Sequence, residues 1–219
     1  MEKPLVIIII GPPGSGKGTQ AKLLAEKFGL EYVGSGDILR ARQKVGDFTG
    51  RKLIKFMGRG ELVPSLIVTD LAANELEKFK KRPRINGLVL DGWTRTIMEA
   101  ILMDEALSWY EWQKNVKVIL FDISRKESFN RLTRRRQCKK CGKLIPWIGE
   151  FKKLKKCDKC SGELITRPDD KIESIKKRLE EYKNETIPSI NYYKKQRRLI
   201  KINGEQSIEN VFKDILKVL

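Results

Sequence analysis

An unbroken apolar and β-branched run, Leu5–Ile10, ends directly on the glycine-rich stretch Gly11-Pro-Pro-Gly-Ser-Gly-Lys17-Gly-Thr19. No other feature restricts the chain so strongly. A strand without polar alternation reads as buried on both faces, the condition of a central parallel strand covered by helices. The run is far too short to span a bilayer. It lacks a small-residue cleavage site, so no secretory leader is expected. Leu23, Leu24, Lys27 and Phe28 follow at helical spacing. Glycines between a strand and a helix let backbone amides curl around phosphate oxygens, and the helix amino terminus adds partial positive charge. Lys17 can reach outer phosphates as a point charge. The match to Gly-x4-Gly-Lys-Ser/Thr is incomplete, because Gly18 stands at the Ser/Thr position and Thr19 comes one later. The strand before and helix after still favour nucleotide binding over a chance glycine turn. Gly11, Gly14, Ser15, Gly16, Lys17, Gly18 and Thr19 are therefore the candidate triphosphate cradle.

The remaining chain alternates strand and helix patterns. Strands are expected at 87–90, 116–121 and 199–202, and helices at 66–79, 97–108, 126–136 and 207–219. Such alternation predicts an α/β fold with a parallel sheet and helices on both faces. Two stretches break it. Residues 34–65 read as short helices without a strand, and residues 131–167 hold all four cysteines and a dense cationic cluster. Past the second, Asp169 and Asp170 stand where a helix amino terminus favours carboxylates. Ile172, Ile175, Leu179 and Tyr182 carry that helix, with a break or kink expected near Pro188.

Charge narrows the partners. Lys and Arg number 46 against 28 Asp and Glu, a net charge of +18, which points to nucleotides, nucleic acid or an acidic membrane surface. The cysteines fall as Cys138-x-x-Cys141 and Cys157-x-x-Cys160 with 15 residues between the pairs, and the chain has no histidine. This spacing suits four thiolates around Zn²⁺ better than two disulfides. Four thiolates leave no open position, so the site is expected to be structural, and a cytoplasmic location is the default. A rival is a zinc ribbon gripping nucleic acid, since residues 131–159 carry twelve Lys or Arg. Only Trp147 and Phe151 could stack on bases there, which weighs against it.

Gly16-Lys-Gly-Thr19 resembles the phosphate loop of the nucleoside monophosphate kinases. The whole chain, from Val6 to the last helix, is similar to adenylate kinases with a zinc-bearing lid. Gly34-Ser-Gly-Asp-Ile-Leu-Arg40 looks like the segment that opens the family's monophosphate-binding domain, and Gly60-Glu-Leu-Val-Pro64 like the loop that closes over that nucleotide. Leu90-Asp-Gly-Trp-Thr-Arg-Thr96 is similar to the family's Leu-Asp-Gly-Phe-Pro-Arg-Thr. The resemblance implies a P-loop three-layer core (1–33, 66–130 and 168–219), a helical monophosphate-binding insertion (34–65) and a zinc-ribbon-like lid (131–167). It implies ATP and AMP as substrates, Mg²⁺ as cofactor, structural Zn²⁺ on Cys138, Cys141, Cys157 and Cys160, and no nucleic-acid or membrane partner. A monomer is the default.

By the same resemblance Arg40 and Arg95 grip the monophosphate, together with Ser35, Gly36, Glu61, Leu62, Val63, Gly92 and Glu99. Arg135, Arg167 and Arg178 surround the transferring group alongside Lys17. Arg131 covers the base of ATP with Gln206 near it, and Asp91 orders the Mg²⁺ waters, with Asp37 a second candidate. Bringing two polyanions into contact requires their repulsion to be cancelled and water excluded, a task for guanidinium groups rather than acid–base chemistry. No glutamate follows Asp91-Gly92 to activate water, which favours transfer over hydrolysis. Glu99 falls where the family usually has Gln. An ionised carboxylate only accepts hydrogen bonds and would suit guanine better than adenine; alternatively Glu99 turns outward, or binds protonated. A kinase with another or broader base choice is therefore a second reading, and a nucleic-acid-binding ATPase a third.

Overall fold

The computed structural model describes residues 4–167 and 169–219. Residues 1–3 and 168 of the expected core segments lie outside the described residues. Strand β1 (Leu5–Ile10) is the middle of a five-stranded sheet that also holds β2 (Glu31–Gly34), β3 (Gly87–Asp91), β4 (Val116–Asp122) and β8 (Leu199–Asn203). The order is β2-β3-β1-β4-β8, and every pairing is parallel. Val6, Ile7, Ile8 and Ile9 are all 0% exposed, which is why this segment shows no polar alternation. Successive side chains point to opposite faces. Val6, Ile8 and Ile10 accordingly enter one core with α4 (Ser65–Lys80), α5 (Ile97–Trp109) and α8 (Ile187–Lys195). Ile7 and Ile9 enter a second core with α1 (Lys17–Phe28) and α9 (Ile208–Leu216). Each such burial stabilises the fold by roughly 1.5–3 kcal/mol, so one six-residue strand anchors both layers.

The β1–β3 pairing starts where only glycine fits. Gly87 has φ +152°, and a Cβ there would lie 1.9 Å from the Leu5 carbonyl oxygen. The tight pairing sets Asp91 opposite Ile9, at the carboxyl end of the sheet.

The two excursions are built as follows. Helices α2 (Ser35–Gln43) and α3 (Phe48–Arg59) occupy most of 34–65, but Gly34 is the last residue of β2 rather than the first of the excursion. Helix α6 (Arg125–Arg134) stops short of the expected residue 136. Arg135 takes extended φ/ψ, and Arg136 opens β5 (Arg136–Cys138), the centre of a small antiparallel sheet with β6 (Leu144–Ile145) and β7 (Leu164–Ile165). The chain after the lid runs as α7 (Ile172–Glu181), a π-helical turn (Tyr182–Thr186) and α8. The irregularity expected at Pro188 thus sits one turn earlier. Pro188 itself is in the first turn of α8, where its missing N–H falls against the widened turn instead of breaking the helix. The last helix is shorter than its apolar pattern: the Ser207 side chain caps it by accepting from Asn210 N at 3.2 Å. Among the described residues no helix is long and apolar enough to cross a membrane.

Candidate active site

The carboxyl ends of the parallel strands open into a cavity of about 930 Å³. This is where ligands bind in open α/β sheets. Its floor is the glycine-rich loop. Gly16 caps α1 in the left-handed region at φ 91°, so the first helical amides face the cavity. Gly11, Gly14, Ser15, Gly16, Lys17, Gly18 and Thr19 all line it. The Lys17 ammonium donates to the carbonyls of Gly11 at 2.7 Å and Pro12 at 2.8 Å. Burial lowers it to about 7, against the pull of Asp91 and with Arg95, Arg178 and Arg135 adding to the depression. Phosphate oxygens would reverse that penalty. Gly18 explains the departure from the Ser/Thr pattern: a Cβ there would come within 3.1 Å of Asp91 Oδ2. Burial raises the Asp91 carboxyl, with Lys17 as the main opposing charge, and the Tyr32 hydroxyl lies 3.2 Å from both Asp91 and Asp37.

The far side of the cavity is formed by Ser35, Gly36 and Arg40 of α2, by Glu61, Leu62 and Val63 before α4, and by Gly92, Arg95 and Glu99 after β3. Arg40 donates to Asp37 at 2.6 Å. Arg95 Nε donates to the Gly92 carbonyl at 2.9 Å, with Nη2 3.4 Å from Ser35 Oγ. Arg131 lies toward β8 and α9. It is buried, and donates to Glu127 at 2.7 Å and to the Gly204 carbonyl at 2.9 Å, with Gln206 lining the cavity nearby. Gln206 itself donates to Asp214 Oδ2 at 3.0 Å.

Arg135, Arg167 and Arg178 line the cavity between these two sides. They are held by the two acids that follow Pro168. Asp170 has no exposed side-chain surface; it accepts from Arg135 Nε, from Arg135 Nη2 at 2.6 Å and from Arg178 Nη1 at 3.1 Å. Asp169 pairs with Arg167 Nε at 2.5 Å. Burial lowers both Arg167 and Arg178 to about 10. Asp169 and Asp170 are therefore arginine holders, not the carboxylates of a helix amino terminus that their position before α7 suggests. The signal that could have marked them is their place directly after the most cationic stretch of the chain.

Glu99 is 3% exposed and does not turn outward. The surface-glutamate alternative is corrected by its packing in the first turn of α5, where Oε2 accepts the Arg95 backbone N–H at 2.8 Å. Burial raises its carboxyl.

In the lid the four Sγ atoms lie within 4.8 Å of one another, with Cys138–Cys160 at 3.5 Å and Cys141–Cys157 at 3.6 Å. A disulfide needs about 2.05 Å, and all four cysteines are free. The edge of a tetrahedron with Zn–S near 2.3 Å is about 3.8 Å. The donor set fits Zn²⁺. The exposed Arg134 guanidinium lies over the Trp147 ring at 5.7 Å.

The sequence as a whole agrees with this geometry. A model of the family described as adenylate kinase matches residues 9–198. The chain belongs to the adenylate kinase family. Adenylate kinase of Methanothrix thermoacetophila is 42% identical over 97% of both chains. That of Thermodesulfovibrio yellowstonii is 39% identical over 97% of this chain and 98% of its own, and that of Archaeoglobus fulgidus 38% identical over 97% of both. The protein is thus a phosphotransferase of the nucleoside monophosphate kinase type, and the nucleic-acid-binding ATPase is not favoured.

Removing the charge that holds two half-buried arginines has a measurable consequence. Asp170→Asn is expected to cost about 3 kcal/mol, seen as a lower Tm, together with a fall in kcat as Arg135 and Arg178 lose their fixed positions. An unchanged Tm would show that the arginines do not depend on Asp170.

Proposed function

We propose that this chain catalyses reversible, Mg²⁺-dependent transfer of the terminal phosphoryl group of ATP to AMP, giving two ADP. One observation carries this reading: the phosphate loop, the Arg40–Arg95 pair and the cluster of Arg135, Arg167 and Arg178 all face a single cavity. The loop amides and Lys17 would hold the donor phosphates, and Arg40 and Arg95 the acceptor phosphate. Arg135, Arg167 and Arg178 would then lie over the moving group and stabilise the negative charge shared between donor and acceptor. Their positions are fixed beforehand by Asp169 and Asp170, so little reorganisation is needed at the moment of transfer. No proton need be abstracted by a strong base, because the acceptor is already an anionic phosphate.

The buried Asp91 carboxyl, which meets the Tyr32 hydroxyl and lies in the field of Lys17, suits a hard cation bound through water. Mg²⁺ held there would supply positive charge that neutralises part of the phosphate charge. Asp37 shares the Tyr32 hydroxyl and is the second candidate. We assign 34–65 and 131–167 as insertions that close over the two nucleotides and exclude water, on a core of the remaining residues. Four free thiols favour the cytoplasm, and a monomer remains the working assumption.

A coupled assay with AMP, GMP, CMP and UMP, each with MgATP, tests the reaction. AMP is expected to be preferred by at least about tenfold in kcat/KM, a margin of about 1.4 kcal/mol. GMP strongly preferred would overturn the acceptor, and no diphosphate from any monophosphate would overturn the reaction.

From Arg136 to Ile165 the buried apolar residues are Ile145 and the cysteines Cys138 and Cys157, too small a core for three strands of two or three residues each, so Zn²⁺ on Cys138, Cys141, Cys157 and Cys160 would supply the missing cross-link. Changing Cys157 and Cys160 together to Ser should abolish bound zinc and lower Tm, while turnover at low temperature falls much less. A double variant with the Tm of the original protein would remove the structural role.

A further inference from the structure

Glu99 takes no part in holding phosphate, yet it is a buried carboxyl facing the nucleotide cavity beside Leu62 and Val63. Its two oxygens differ. Oε2 accepts the Arg95 backbone N–H at 2.8 Å. Oε1 meets the Ser65 hydroxyl at 3.4 Å, and that hydroxyl is better placed on Thr96 Oγ1 at 3.0 Å; the Thr96 backbone amide also lies against the carboxyl. All of these partners are neutral. The Arg95 guanidinium is turned away to Gly92 and Ser35. Helix α5 packs against α4 and α8. The α4 side offers Glu99 only Ser65, and on the α8 side the Tyr193 hydroxyl reaches the Ala100 carbonyl at 3.5 Å. Other charged groups that line the same cavity include Arg40, Glu61, Arg95, Arg178 and Glu181. Burial raises the Glu99 carboxyl, opposed by the Arg95 amide and charge.

A base edge with an acceptor next to a donor, as adenine presents at N1 and its 6-amino group, needs a donor next to an acceptor in return. An ionised carboxylate offers two acceptors; a neutral acid offers one of each. We propose that Glu99 recognises the acceptor base as the neutral acid, with Oε1–H donating to the ring nitrogen and Oε2 accepting from the amino group. This rests on AMP being the acceptor. Oε2 keeps its Arg95 hydrogen bond and uses its second lone pair for the base; Oε1 has the spare valence for the proton. Binding of AMP would then select the protonated enzyme. Affinity is full below the carboxyl pKa of the free enzyme and falls as pH rises through it.

The test is the KM for AMP at saturating MgATP from about pH 6 to about pH 10, for the wild type and Glu99→Gln. The wild-type KM is expected to rise toward about tenfold per pH unit above the carboxyl pKa, whereas the Gln variant, a donor at every pH, lacks this rise. Ionisation of the AMP phosphate and of Lys17 affects both proteins and cancels in the comparison. Calorimetry in buffers of different ionisation heat should show extra proton uptake per AMP, approaching one, in the wild type alone. Parallel profiles with equal uptake would overturn the proposal, as would GMP preferred over AMP across the whole range. If the variant fails to fold, a wild-type KM that stays flat throughout overturns it unaided. Diphosphate formation is recorded in the same runs, so loss of acceptor activity with every monophosphate would count against the reaction itself, not against the protonation of Glu99.

Discussion

Like charges gathered around one cavity are the constraint that the rest of the molecule answers to. Lys17, Arg40, Arg95, Arg131, Arg135, Arg167 and Arg178 all line it. At close range in a partly desolvated site such cations repel one another strongly. The fold offsets this with carboxylates placed behind them: Asp37 on Arg40, Glu127 on Arg131, Asp170 on Arg135 and Arg178, and Asp169 on Arg167. The compensation is incomplete. Burial depresses the Lys17 ammonium to about 7 and Arg167 and Arg178 to about 10, and the neighbouring guanidinium groups add to each shift. Two nucleotides would add negative charge among these cations and offset their mutual repulsion.

The scaffold keeps these charges in place with few residues. Strand β1 supplies both apolar cores with side chains from alternating positions, and its last residue leads straight into the loop amides. Close backbone approach at Gly87 fixes β3 beside it, which sets the position of Asp91. The lid follows a different logic. It has almost no core, and its thiols cluster to the spacing of a tetrahedral metal site. Burial stabilises the sheet, whereas a metal held by the four thiols would stabilise the lid. Motion of the cross-linked part would then cost little packing energy in the sheet.

Much of this was legible in the sequence where a long, uniform signal exists. The uninterrupted apolar residues of β1, the glycines after it and the paired cysteines each have few structural explanations. Strand β2 and the three lid strands escaped because two to four residues carry no periodicity. Asp169 and Asp170 have a local reading, helix amino-terminal acids, that fits as well as the true one; only the fold brings Arg135 and Arg178 to Asp170. Glu99 is hardest. Nothing in its neighbours along the chain reveals that α4 and α5 bury it, since the same capping position on an exposed helix would carry a glutamate too. The residues assigned to the nucleotides came from motif resemblance, and the structure gathers them around one cavity.

The central claim is that fixed guanidinium groups act on charge shared during transfer rather than on nucleotide capture alone. Arg95→Ala tests it most directly: Arg95 is assigned to the acceptor phosphate that shares this charge, and its guanidinium meets Gly92 and Ser35 rather than a carboxylate that holds another arginine. Measured at saturating MgATP and AMP, kcat should fall by about two orders of magnitude or more, a loss of about 2.7 kcal/mol or greater, while Tm stays close to that of the original chain. A variant with kcat intact and only KM for AMP raised would contradict the account.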